Sequence, residues 1–408
     1  MKRLFWVVLL AMTACQSGGQ NPAANASTAE NSATTQASTS QTQNVESSAA
    51  TSTAIERGEQ PDLSKLSPKD VSVYNYGSTA PILGDILPLG SSSSGYDQKW
   101  EFYIYTRPWE VRIKFEISNF AFSKNEAKIR GYVRRFDGET MVEDYKLSKN
   151  LKSGQWKSAN DRLSLTFGDY TLNFDGSEFH IHGTFEKGDF DFDIPAHFWK
   201  PGTGNVIFGN SPENIFKYAM LTYHKPVSRG TVRVDGNDIP VTGQAYANHY
   251  ATTVAIYDMF DEVADFRKRT DTLLAEFRYY VPSQKYNAEP FGFMFVAAEG
   301  VPLVSSTHIE RTPVETWLDE DNYGYLIDSR QRIVAVDGDA KACFNMLSAK
   351  PVPEDPYADL PAFQRNVATR FAKPIEYSVK INYEIDLDVE GMTAKIPMSG
   401  SYSITRLR

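Results

Sequence analysis

Cysteine is nearly missing from this chain: Cys15 and Cys343 are the two present among 408 residues. With Cys15 assigned below to an anchor, no intrachain disulfide framework or cysteine metal cluster is expected, and Cys343 reads as a small buried hydrophobe. A surplus of positive charge is also lacking. The 42 Lys and Arg stand against 51 Asp and Glu, a formal charge of −9. Without a basic field there is nothing to release counterions from a phosphate backbone, which argues against a nucleic-acid partner. Nucleotide and hydrolase signatures are missing too. No Gly-x-Ser-x-Gly elbow occurs, Gly90 to Gly95 is a serine run of the wrong spacing, and Gly202-Thr203-Gly204 lacks the third glycine of a dinucleotide fingerprint. No cofactor is expected.

What is present begins with an address. Met1, Lys2 and Arg3 precede the apolar run Leu4 to Ala14, the size of a signal-peptide core and too short to cross a bilayer. Met12-Thr13-Ala14-Cys15 puts small residues before a cysteine directly after that core, and it resembles a bacterial lipobox, with Cys15 as the lipid-attachment residue. Gln16 in the next position resembles lipoproteins sent on to the outer membrane, so residues 1–15 read as a leader for anchoring there, on the periplasmic face. Residues 16–58 are rich in Ser, Thr, Ala, Gln and Asn and lack aromatic residues. They cannot bury enough surface to offset the entropy of ordering and read as a tether. A flexible chain of about 40 residues has a root-mean-square reach of roughly 35 Å.

The remaining length is about right for two domains. Aromatic residues make up 13% of the chain, a balance that favours pleated strands over helical bundles. Val111, Ile113, Phe115 and Ile117 alternate with Arg112, Lys114, Glu116 and Ser118, the mark of a strand with one buried face and one wet face. Similar runs occupy Trp100–Tyr105, Ile129–Phe136, Leu163–Phe167, Tyr170–Phe174, Phe179–Phe185 and Phe190–Ile194. They resume at Gly230–Val234, Ile239–Thr242, Thr253–Tyr257, Glu276–Val281, Phe291–Val296, Ile333–Val336, Ile375–Val389 and Tyr402–Leu407. Turn pairs such as Asp137-Gly138 and Asp175-Gly176 separate several of them. The predicted class is all-β with antiparallel strands. Helix is predicted only at Pro361–Ala372 and in part of Asp261–Leu274.

Residues 217–249 include Lys217-Tyr218-Ala219-Met220-Leu221-Thr222-Tyr223-His224, the hairpin Arg229 to Gly236, and Val241-Thr242-Gly243-Gln244-Ala245-Tyr246-Ala247-Asn248-His249. This stretch resembles the junction of the hydroxyneurosporene synthase (carotenoid 1,2-hydratase) and AttH superfamily, to which a survival-factor family that handles lipids is related. The resemblance implies two consecutive lipocalin-like barrels, over residues 59–220 and 221–408. It also implies an apolar pocket near the start of the second. Where hydratase-like members have Asp-His, this chain has Asn248-His249. An amide cannot supply the proton that turns a double bond into a carbocation, so the inherited chemistry is weakened while the pocket is not.

On the resemblance, Tyr246, Asn248 and His249 are the expected grip on a ligand's polar head, and His249 reads equally as a structural residue of the junction. Trp100 and Trp199 are expected to line or fill a barrel, as are Trp109 and Trp156. His249 and Asp258 are the candidate proton donors if there is chemistry. His180-Ile181-His182, with His197 as a conceivable third ligand, could hold a metal, but two polar groups on a wet strand face is the expected reading. Asp189, Asp191 and Asp193 read the same way, because the sixth and twelfth positions of a calcium loop would be Ile194 and Lys200. Asp258 to Arg269 reads as a charged cover over a barrel mouth. The expected function is a lipid-anchored protein that binds or carries a hydrophobic small molecule, an isoprenoid or a lipid. A hydratase or cyclase acting on an isoprenoid is the alternative, and a structural lipoprotein with filled barrels is the third reading.

Overall fold

The computed structural model describes residues 72–75 and, with short interruptions, 83–407. Cys15 and the tether, His197, Trp199, the Gly202-Thr203-Gly204 loop and most of Pro361–Ala372 lie outside the described residues.

In chain order the first unit comprises β1 (Ser72–Asn75), a helical turn α1 (Leu83–Ile86), β2 (Asp97–Tyr105), β3 (Trp109–Phe120), β4 (Ser123–Asp137) and β5 (Thr140–Leu151). Then come β6 (Lys157–Ser158), β7 (Ser164–Phe167), β8 (Tyr170–Phe174), β9 (Glu178–Phe185) and β10 (Gly188–Pro195). It closes with β11 (Val206–Ser211), β12 (Asn214–Pro226), β13 (Arg229–Val234), β14 (Asn237–Pro240) and β15 (Gln244–Thr252). After a second helical turn, α2 (Ile256–Met259), come β16 (Phe260–Arg269), β17 (Leu273–Pro282), a 3₁₀ turn at Gln284–Tyr286, β18 (Phe291–Ala298), β19 (Val301–Ser306) and β20 (Ile309–Asp319). The chain ends with β21 (Tyr325–Asp337), β22 (Ala340–Glu354), β23 (Ile375–Val389) and β24 (Met392–Arg406).

These strands make three antiparallel sheets, ordered β1-β11-β12-β15-β2-β3-β4-β5, β14-β13-β10-β9-β8-β7-β6 and β19-β18-β17-β16-β24-β23-β22-β21-β20. The fold is therefore all-β and antiparallel, with curled sheets consistent with lipocalin-like barrels. A single long hairpin, β12–β13 returning as β14–β15, bends from the first sheet into the second. At the bend Val227 N–H donates to Gly243 O at 2.9 Å and Ser228 N–H to Asp193 O at 2.8 Å. A Cβ at Gly243 would lie 2.3 Å from Tyr105 O, so only glycine lets the corner pack this closely.

Two differences from the sequence reading follow from packing. Asp261–Leu274, read in part as helix, is mostly the strand β16; Phe260, Glu262, Ala264 and Phe266 are buried in alternation, a period of two. Thr253–Tyr257, read as a strand, is instead the link from β15 together with the first half of α2. The position 220/221 falls inside β12, and the third sheet begins in sequence at Phe260.

The apolar side chains gather into three cores. One fills the first unit, around Trp100, Phe102, Phe115, Phe167 and Phe179. Another fills the second unit, where Phe266, Phe277, Phe344 and Tyr383 pack with ring centroids 4.7–5.3 Å apart. A third lies where the two units meet, with Phe216, Tyr218, Tyr223 and Tyr246 from one side and Phe260, Tyr280, Phe293 and Phe295 from the other. Ring pairs such as Tyr218–Phe293 at 5.4 Å and Tyr223–Phe295 at 4.8 Å join the units across this seam.

Candidate functional site

Strand β15 carries three of the residues expected at a pocket, and the pleat divides them. Successive side chains of a strand point to opposite faces. His249 pairs with Trp100 and turns into the first-unit core; Tyr246 and Asn248, paired with Tyr103 and Glu101, occupy the other face. His249 and Trp100 are brought together, their rings 5.2 Å apart, while Tyr246 and Asn248 belong to the seam. Trp199 lies outside the described residues.

His249 is fully buried. Its Nε2 lies 2.8 Å from the Gln98 amide nitrogen. Because an amide nitrogen only donates, Nε2 accepts and the ring proton sits on Nδ1. That N–H makes no hydrogen bond. Burial, with a smaller push from Lys217, lowers the His249 pKa to about 3, so the imidazole is neutral at neutral pH and has no acidic proton to give. Asp258, the other candidate donor, is half-exposed on α2 and sits 3.8 Å from Lys285 Nζ.

The seam holds a denser polar group that the sequence reading missed. Glu276 on β17 is 1% exposed. Its Oε1 accepts from Tyr218 Oη at 2.7 Å and its Oε2 from Tyr246 Oη at 2.6 Å, and the two phenol oxygens are 3.0 Å apart. Arg278 Nε donates to Oε1 at 3.3 Å, and Arg267 Nε stands 3.6 Å from Oε2. Both guanidiniums also cover rings: Arg267 lies 4.3 Å from the Tyr246 centroid and 4.9 Å from that of Tyr103, and Arg278 lies 4.3 Å from that of Tyr218. Two units therefore meet on one carboxylate, with its tyrosines from the first and its arginines from the second.

The electrostatics follow from burial. It holds the phenols of Tyr218 and Tyr246 far above their usual range, with Glu276 adding to the shift and the arginines opposing it. Burial alone would weaken both guanidiniums, but both are held above their usual range, with the negative charge of Glu276 acting on each and that of Asp265 on Arg278. Near the cluster, Glu101 is held below the usual carboxylate range despite its burial, because Arg112 and Arg267 face it. Asn248 Nδ2 and Arg267 Nε make no hydrogen bond. The only sequence signal for this group was polarity at alternate positions of an aromatic strand, Glu276 and Arg278 beside Phe277 and Tyr279.

His180 and His182 lie on the exposed face of β9. Nδ1 of His180 meets Asp193 Oδ1 at 2.8 Å and Nε2 meets Asp175 Oδ2 at 3.0 Å; Nδ1 of His182 meets Asp191 Oδ1 at 3.0 Å. The aspartates of β10 are thus partners of histidines and of Arg229 and Arg233 on β13. Cys343 is buried on β22, its thiol donating to Asn345 Oδ1 at 3.3 Å. In the second unit the void beside Phe266, Phe277, Phe344 and Ile385 is about 10 Å³, no more than one water would need, while a cavity of about 490 Å³ opens beside Cys343, Leu387, Ala394 and Lys395.

No protein-family model matches the chain, and no curated protein is similar to it in sequence. Solved structures to which it is similar include a putative AttH from Nitrosomonas europaea, 14% identical over 77% of this chain and 93% of that one, with a TM-score of 0.41. Kievitone hydratase from Nectria haematococca is 12% identical over 84% of this chain and 97% of that one, TM-score 0.41. CghA with Sch210972 is 9% identical over 82% and 97%, TM-score 0.37.

Proposed function

We propose that the protein is a lipid-anchored component of the bacterial outer membrane, facing the periplasm, that binds a hydrophobic small molecule such as an isoprenoid or a lipid. The seam around Glu276 is the proposed seat of the ligand's polar head. One observation carries this reading: a fully buried carboxylate, held by two tyrosines and two arginines from different units, sits within an aromatic core. Desolvating three charges costs several kcal/mol per ion, and well-packed apolar residues of similar volume would join two units at least as well. Strongly perturbed groups between domains, inside apolar surroundings, are the usual mark of a recognition site. The unbonded Asn248 Nδ2 and Arg267 Nε supply donors for a ligand oxygen.

Hydration or cyclisation of an isoprenoid receives less support. Phenols pushed far above their usual range are poorer acids, and a neutral His249 has no proton strong enough for an alkene. The test is native mass spectrometry of lipids that co-purify with the wild type and with Glu276→Gln and Tyr246→Phe. Loss of the bound species in both variants is expected. Equal retention in all three would move the seat away from the seam.

A further inference from the structure

Between α1 and β2 the chain crosses the end of the first unit without pairing in any sheet. Ile86 is nevertheless fully buried within the first core, and Leu87 and Leu89 pack against it. Buried side chains, rather than strand pairing, hold this segment. Trp100 Nε1 donates to Ile86 O at 2.8 Å, and Gln98 Nε2 donates to Leu87 O at 2.8 Å. Gln98 Oε1 accepts from Leu89 N at 2.9 Å and from Tyr96 Oη at 2.7 Å. Gln98 Nε2 also binds His249, whose buried Nδ1–H has no partner.

These groups present two donors to carbonyl oxygens one residue apart, one acceptor to an N–H, and one unused donor, all against an apolar core. A segment held without sheet pairing opens at a lower free energy than the strands around it. Once it leaves, Trp100, Gln98 and His249 form a buried polar end to an apolar site, and leaving them unbonded is costly.

We propose that Ile86–Leu89 is an intramolecular occupant of a second ligand site in the first unit, and that the site takes a lipid whose head carries an acyl amide. The amide carbonyl replaces the Ile86 and Leu87 oxygens, its N–H replaces that of Leu89, and the acyl chain replaces the Ile86 side chain. The site shares no residue with the seam and stands independently of the reading made there.

The probe is an N-dodecanoyl amide labelled with nitrobenzoxadiazole, titrated by fluorescence against the full-length protein. A plug that competes with the ligand lowers its apparent affinity by the fraction of open molecules. Ile86→Ala, which strips the plug of most of its buried side chain, is expected to tighten binding by about tenfold or more. Adding Trp100→Phe, which removes one donor, is expected to weaken it again by about tenfold. Amide exchange of the wild type reads the same event without a core substitution. Saturating probe is expected to speed exchange at residues 86–95 while β3 and β4 stay protected. Faster exchange there supports the proposal even if Ile86→Ala fails to fold. Unmoved exchange in that segment at saturating probe overturns it, as does unchanged or weaker binding by a folded Ile86→Ala.

Discussion

At the scale of single residues, the chain uses its buried charges in opposite ways. Glu276 is compensated on every side, so removing it is worse than never having had it. Glu276→Ala leaves Arg267 and Arg278 buried without their carboxylate, and a loss of about 3–5 kcal/mol is expected, read from urea unfolding; a loss below about 1 kcal/mol would show the arginines re-solvated. His249 is a base buried neutral, with its pKa near 3 instead of 6.5. Between those values the unfolded chain binds a proton that the folded one does not, so stability falls as the pH drops below about 6.5. At pH 4.5 the contribution is roughly 2–3 kcal/mol. His180 runs the other way: its carboxylate partners Asp193 and Asp175 raise its pKa, so its contribution is complete below 6.5 and is lost as the pH rises through the raised value. Carboxylates held below their usual range, such as Glu101, also lose stability towards pH 4.5, so His249 is separated from them by comparing wild type and variant at pH 6 and pH 4.5. A His249→Phe variant is expected to lose less stability on acidification than the wild type, and equal losses would refute the assignment.

Among the elements, the turns and corners depend on residues that leave no space for change. Gly95, at the end of the segment that crosses the first unit, is one: a Cβ there would come 2.0 Å from Ala255 N and 2.6 Å from Val254 C, both backbone atoms. Gly95→Ala must push the segment away from the β15–α2 link. A destabilisation of about 2 kcal/mol or more is expected in thermal unfolding, with faster proteolysis near residue 95. A variant as stable as wild type would show that this approach is not needed.

The strands differ in how openly they announce themselves. β2 and β16 alternate buried and half-buried residues, and β23 does so over most of its length. The run of β16 still read partly as helix because its wet face is crowded with charges. β15 is buried on both faces and shows no alternation, so the hydrophobic period that marks a half-buried strand was missing from it; β18, buried just as fully, was still legible over Phe291–Val296 as a short apolar run. β5 escaped for the opposite reason, with most of its side chains exposed.

For the whole molecule, the seam makes two β units one structure. Because sixteen buried residues are shared across it, the wild type is expected to unfold in one calorimetric transition; two well-separated transitions would mean that the third core contributes little. The anchor belongs to this scale as well. Cys15→Ala is expected to release an exported protein from the membrane fraction, and continued sedimentation with membranes would remove the lipid attachment from the reading.

The sequence by itself determined the class of the fold, because alternation with period two and the Asp-Gly turns follow from local sterics alone. It determined most strands of the half-buried sheets and which face of β9 and β10 meets water. Tertiary structure alone decided the site. The pleat of β15 sends His249 to one core and Tyr246 to another, and the register that sets Tyr218 and Tyr246 over Glu276 joins residues up to 58 positions apart. No local pattern encodes that meeting, since it arises only when two sheets pack face to face and their buried charges must find one another.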